Sequence, residues 1–147
     1  MTFRYNLRPR PPRSPLNRLA GSSDEGEQLT GFVHGKEASD LEERWARAED
    51  GAQREYIFQY WVENPYGLPS QKNQIDFMDV TDAWQPIEID GSYAHKTAGQ
   101  KADDQARDAI LNTLFQQRGI NPIIRIPGDS LATQEDADRI VLEIFRA

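Results

Sequence analysis

The stretch Pro86-Ile87-Glu88-Ile89-Asp90-Gly91-Ser92-Tyr93-Ala94-His95 decides how this chain is read. Its first five residues read as a strand, in which side chains alternate sides, so Ile87 and Ile89 share one face and Glu88 and Asp90 the other. Two carboxylates on one side of an apolar strand repel each other and resist burial unless a cation or a hydrogen-bond network offsets the cost. Gly91 then breaks the strand and His95 follows it.

Upstream, Ile75-Asp76-Phe77-Met78-Asp79-Val80 reads as another strand, joined to the first by a hairpin-length loop around Thr81-Asp82-Ala83-Trp84. Tyr56-Ile57-Phe58-Gln59-Tyr60-Trp61-Val62 is rich in aromatic and β-branched residues, hence also a strand, broken by Asn64-Pro65-Tyr66-Gly67-Leu68-Pro69. Before it, Ser39-Asp40-Leu41-Glu42 matches a capping box opening a short helix, with Leu41, Trp45 and Ala48 on one stripe and an end near Asp50-Gly51. This stripe places Glu42 on the flank of the core face and predicts a solvated Glu43.

Downstream, a helix is expected from about Asp103 to Gln117, with a stripe of Ala106, Ile110 and Leu114 widened by Leu111 and Phe115, and Gly119 as its stop. Pro122-Ile123-Ile124-Arg125-Ile126-Pro127 is a fourth strand, and a last helix starts near Thr133 and carries Ile140, Val141, Ile144 and Phe145. The order is α-β-β-β-α-β-α. A helix between the third and fourth strands implies a right-handed crossover in a mixed sheet. The expected fold is therefore α/β: a single small domain, residues 37–147, with a central mixed sheet flanked by helices.

Residues 1–36 differ in composition. Arg8-Pro9-Arg10-Pro11-Pro12-Arg13-Ser14-Pro15 favours an extended path and Gly21-Ser22-Ser23-Asp24-Glu25-Gly26-Glu27 reads as a linker, so a flexible basic arm is expected. Arg4, Arg8, Arg10, Arg13 and Arg18 all precede Asp24, the first acid, whereas the chain as a whole carries a net charge of -7. That balance argues against a generic nucleic-acid binder, because phosphate contacts need Lys and Arg, and leaves a basic arm on an acidic body. A length of 147 residues fits one domain; hydrophobic content is 37% and mean hydropathy -0.76. The chain has no cysteine, which excludes disulfides and thiolate metal sites. With neither a long apolar run nor a leader-like N-terminus, a cytoplasmic protein without membrane contact is expected.

If the Asp76 strand pairs with the Glu88 strand, the two carboxylates converge. Converging hard oxygens suit Mg2+, with Mn2+ as a substitute, and a metal held this way supports phosphodiester hydrolysis. Asp90 and His95 lie at the rim, and an imidazole with an ordinary pKa of about 6.5 suits acid-base work near neutrality. Each residue also has a plainer role. Single strand acids commonly face solvent, Glu42 is fully explained by its capping box, Arg125 is either a surface residue or a phosphate-facing cation, and Arg107 fits a helix-surface charge.

Taken together, the order of these residues resembles the PD-(D/E)xK restriction-endonuclease-like superfamily, in the branch of very-short-patch-repair endonucleases. The resemblance rests on Glu42 in the first helix, Asp76-Phe77, Glu88-Ile89-Asp90-Gly91 with His95, Asp104 with Arg107, and Ile123-Ile124-Arg125-Ile126, and spans about residues 39–146. Two departures stand out. Asp90 occupies the place of the superfamily's lysine, and three residues rather than two separate Gly91 from His95, so that either His95 or Lys96 would face the site.

The resemblance implies a magnesium-dependent DNA endonuclease of a repair-like type. Asp76 and Glu88 would be metal ligands; Asp90, His95 and Glu42 further catalytic residues; and Arg125, Lys96 and Arg107 nucleic-acid contacts. DNA is the expected partner, with a homodimer or docking through the arm in addition. The alternative is a catalytically reduced structural or adaptor protein of a phage or mobile element on the same fold. An RNA-binding module is disfavoured, because the folded part shows no basic-aromatic face.

Overall fold

The computed structural model describes residues 27–63, 73–91 and 96–146. Its elements, in chain order, are β1 (Phe32–Val33), β2 (Lys36–Glu37), α1 (Asp40–Gly51), β3 (Tyr56–Trp61), β4 (Gln74–Asp79), β5 (Gln85–Asp90), α2 (Ala98–Gln117), β6 (Ile124–Pro127), a 3-10 turn (Gly128–Leu131) and α3 (Gln134–Ile144). They fall into two units: Tyr56–Pro127 forms one, and the residues before and after it form the other. The arginine- and proline-rich stretch and His95 lie outside the described residues.

The Tyr56–Pro127 unit is an α/β fold built on one mixed sheet of order β3-β4-β5-β6. β3, β4 and β5 run antiparallel, and β5 pairs with β6 in parallel. A parallel neighbour cannot be reached through a tight turn, and α2 supplies the crossover. Leu111 and Phe115 of α2 pack with Val62, Ile75 and Met78, and Tyr60, Val80, Leu114, Ile120 and Ile123 widen this core. Phe77 stacks its ring near those of Tyr56 and Phe58, at centroid distances of 5.6 and 5.0 Å.

Capping chemistry fixes where α2 begins. Thr97 Oγ1 accepts the Gln100 N–H at 3.1 Å and Gln100 Oε1 accepts the Thr97 N–H at 2.9 Å, a reciprocal capping box. The helix therefore starts at Ala98 rather than near Asp103. Its end follows the expected stop, with Gly119 at φ +73° and the Ile120 N–H returning to Phe115 O.

In the other unit, α1 opens on the Ser39–Glu42 capping box, with bonds of 3.2 and 2.8 Å. Trp45, Ala46 and Ala48 are buried, as are Leu131, Ala137 and Val141 from the C-terminal segment. α1 runs through Gly51, and its left-handed terminator is Gln53 at φ +59°, not the glycine.

Two expectations are corrected here. Residues 27–36 belong to the folded part: Leu29 and Val33 are buried, and β1 and β2 form a hairpin. His34 and Gly35, at φ +52° and +80°, make its two-residue turn of the type that suits strand twist. Glu43, expected in solvent, is fully buried because residues Thr30 and Gly31 cover that side of α1. Its carboxylate accepts the Thr30 and Gly31 N–H groups at 2.8 to 2.9 Å, the Thr30 hydroxyl at 3.0 Å and Arg47 at 2.9 Å. No described helix is long and apolar enough to cross a membrane.

Candidate functional site

The ladder between β4 and β5 runs Asp79↔Gln85, Met78↔Pro86 and Phe77↔Ile87, so the next rung sets Asp76 opposite Glu88. At that rung side chains take over from backbone. Asp76 Oδ2 accepts the Ile89 N–H at 2.8 Å, and Glu88 Oε2 faces the Asp76 N–H at 3.4 Å. Each acid thus serves a backbone donor of the opposite strand. On the other side of β5, Glu88 lies opposite Arg125 and Asp90 opposite Pro127.

Glu88 and Asp90 are only 8% and 6% exposed, a placement that demands compensating positive charge. The crossover helix, the segment before it and β6 provide it. Arg107 Nη1 sits 2.5 Å from Glu88 Oε1, while its Nη2 donates to Gln74 O at 2.6 Å. Lys96 Nζ lies 3.0 Å from Asp90 Oδ1 and also binds Asp104. Arg125 forks onto Asp108, with Nε and Nη2 at 2.6 and 2.9 Å, and its Nη1 lies 3.5 Å from Asp90 Oδ2. Asp90 Oδ2 is left buried with no hydrogen-bond donor among the described residues.

These partners favour the charged forms of Lys96, Asp104 and Arg125. The hydrogen bond to Asp104 is the main reason the Lys96 ammonium titrates above its usual range; burial opposes it and Asp90 adds to it. Burial pushes Asp104 upward, but the bond and charge of Lys96, together with Arg125 and Arg107, outweigh it and lower that carboxyl. The Arg125 guanidinium is raised, chiefly by its bond to Asp108. A cleft of about 410 Å3 opens beside the cluster, lined by Asp90, Lys101, Asp104, Gln105, Arg125 and Pro127.

Of the residues singled out in the sequence, Asp76, Glu88, Asp90, Lys96, Arg107 and Arg125 therefore meet in one network. Glu42 belongs to the other unit, where its carboxylate caps Ser39. Arg107, which fits a helix-surface charge by sequence, is only 11% exposed at its side chain and faces Glu88. Asp108 was missed. Its signal was spacing: Asp104, Asp108, Leu111 and Phe115 lie three or four residues apart, so the two acids extend the buried stripe of α2.

Among the described residues, no three His, Cys, Asp or Glu side chains converge as a metal site. Asp76 and Glu88 nevertheless offer a two-carboxylate set of hard oxygens, and Asp90 Oδ2, two residues further along β5, accepts no hydrogen bond from the described residues although Arg125 lies 3.5 Å away. Mg2+ is commonly held by one or two carboxylates, with water and phosphate oxygens completing its octahedron, so the residues fit such an ion. Compared with family models, with curated proteins and with solved structures, the chain matches none.

Proposed function

We propose that this chain is a magnesium-dependent DNA endonuclease of the restriction-endonuclease-like superfamily. The observation that carries the reading is the shared rung of Asp76 and Glu88, with Asp90 two residues further along β5. Asp76 and Glu88 would hold Mg2+, which when bound supplies Lewis acidity at a phosphoryl oxygen and a lowered pKa for a coordinated water. The chain's own residues do the rest. Arg125 and Lys96 place positive charge beside the cleft, where a phosphate group docks, and Asp90 and Asp108 orient those cations. Arg107 pairs with Glu88. His95 is the acid-base candidate, and the arginines of residues 1–26 add phosphate contacts that the acidic body lacks.

A second reading, a nuclease-fold adaptor without activity, is favoured by one observation: Arg107, Lys96 and Arg125 already compensate the acids. Purified protein incubated with supercoiled plasmid or mismatched duplex and millimolar Mg2+ or Mn2+ separates the two. The endonuclease reading expects cleavage that falls by about 10²-fold or more in Asp76→Asn and Glu88→Gln, the scale of losing a principal electrostatic contact. Wild-type rates in Asp76→Asn would remove that residue from the site. No cleavage together with no Mn2+ uptake by calorimetry would leave the adaptor.

A further inference from the structure

Gln59 sits in the middle of β3 with φ +59°, a left-handed backbone that non-glycine residues rarely adopt within a strand. Its place in the ladder is telling. Pairs Phe58↔Phe77 and Tyr60↔Ile75 flank it in unbroken register, so the residue facing Gln59 is Asp76.

The side chains show what this excursion does. In a regular strand Ile75 and Phe77 share one face and Met78 takes the other. Here Ile75 and Met78 pack in the same cluster with Tyr60, Leu111 and Phe115, whereas Phe77 packs its ring on Tyr56 and Phe58. The alternation of both strands therefore switches sides between residues 58 and 60 and between residues 75 and 77. The switch falls on Gln59 and Asp76. It also coincides with the point at which backbone pairing to β5 gives way, so that the Asp76 carboxylate reaches in to bind the Ile89 N–H.

We infer that Gln59 is a positioning residue: its left-handed backbone turns Asp76 out of the regular pleat and into the gap beside Glu88. Strain of this kind persists only where the surroundings over-determine it, and it concentrates at functional sites. The inference deepens the endonuclease reading and rests on it for its catalytic meaning. The geometry itself can be read without metal or substrate.

The test uses three variants of the full chain. Gln59→Gly accepts a positive φ freely, Gln59→Asn accepts it with little strain, and Gln59→Val opposes it. Hydrogen exchange of the Ile89 amide reports the Asp76 contact directly. Wild type, Gln59→Gly and Gln59→Asn should protect that amide alike, and Gln59→Val should expose it as much as Asp76→Ala does. Mn2+ affinity by calorimetry should follow the same order, falling about tenfold or more in Gln59→Val and recovering in Gln59→Gly. If Gln59→Val does not fold, Gln59→Gly decides: it should melt at or above the wild-type temperature, where glycine in an ordinary strand position lowers it. A lower melting temperature in Gln59→Gly, or Ile89 protection unchanged in a folded Gln59→Val, overturns the inference. Wild type that neither binds Mn2+ nor cleaves DNA overturns the endonuclease reading instead and leaves the exchange result standing.

Discussion

Glu43 in α1 and Glu88 in β5 are both buried carboxylates, yet they are held by opposite means. Glu43 is satisfied mainly by the backbone, through the Thr30 and Gly31 N–H groups, with the Thr30 hydroxyl and Arg47 completing its shell. Glu88 depends on one long side chain, Arg107, and on a stretched 3.4 Å contact to the Asp76 N–H. Backbone donors are fixed by the fold and cannot be traded for anything else. A guanidinium on a flexible stem can leave, and another cation can take its place. The first carboxylate is thus held by the backbone, while the second is held by a side chain, as the proposed metal site would require.

The largest effect is expected at Glu43. Replacing it with alanine strands several part-buried donors at once and should cost about 2–3 kcal/mol in urea unfolding, without altering cleavage per folded molecule. A loss below about 1 kcal/mol would place Glu43 among dispensable charges. Arg107→Ala should destabilise the metal-free protein by about 2–3 kcal/mol, because it leaves Glu88 buried and unpaired. Millimolar Mn2+ should restore most of that loss and raise the melting temperature of this variant more than that of wild type. If Mn2+ does nothing, Glu88 is a staple like Glu43.

The smallest effect concerns Lys96 and pH. Asp104 has a lowered folded pKa, so its stabilising contribution is present above the ordinary carboxyl value of 3.8 and is lost as pH falls through the lower folded value. Lys96 has a raised folded pKa, so its contribution is complete below 10.5 and is lost as pH rises through the higher folded value. Melts of Lys96→Met should therefore fall short of wild type across the neutral range, by about 1 kcal/mol, since Asp104 is part exposed although Asp90 is buried, and converge with it at both extremes. A gap that persists in strong acid would show that Lys96 acts through packing alone.

The antiparallel pairing that sets Asp76 across from Glu88 was legible in the sequence, because two strands joined by a hairpin-length loop pair side by side; the break in alternation at Asp76 was not. The element order from α1 onward and the α1 and α3 starts were legible for a similar reason: Ser39 and Thr133 cap locally, through neighbours only three residues away. What escaped depends on longer-range partners. Glu43 could not be read from the apolar stripe of its helix, because the groups that bury it come from Thr30 and Gly31. Arg107 gains its meaning only when α2 crosses over the sheet. The first turn of α2 was hidden by Gly99 and by a run of polar residues, although the Thr97–Gln100 pair carried the signal. Nothing in Tyr56-Ile57-Phe58-Gln59-Tyr60-Trp61 marks Gln59 as left-handed, since its neighbours all favour regular strand.

The conformation of Gln59 also bears on how the protein avoids sticking to itself. β3 is an outer strand of its sheet, and it exposes Ile57 at 39% and Trp61 at 56%. A six-residue apolar edge of that kind is a template on which a foreign strand can add, rung by rung. A left-handed residue at its centre divides that strand into two short regular lengths, which would hold an added strand less well than one even run. The kink proposed to turn Asp76 toward Glu88 would thereby also shorten the regular run of β3.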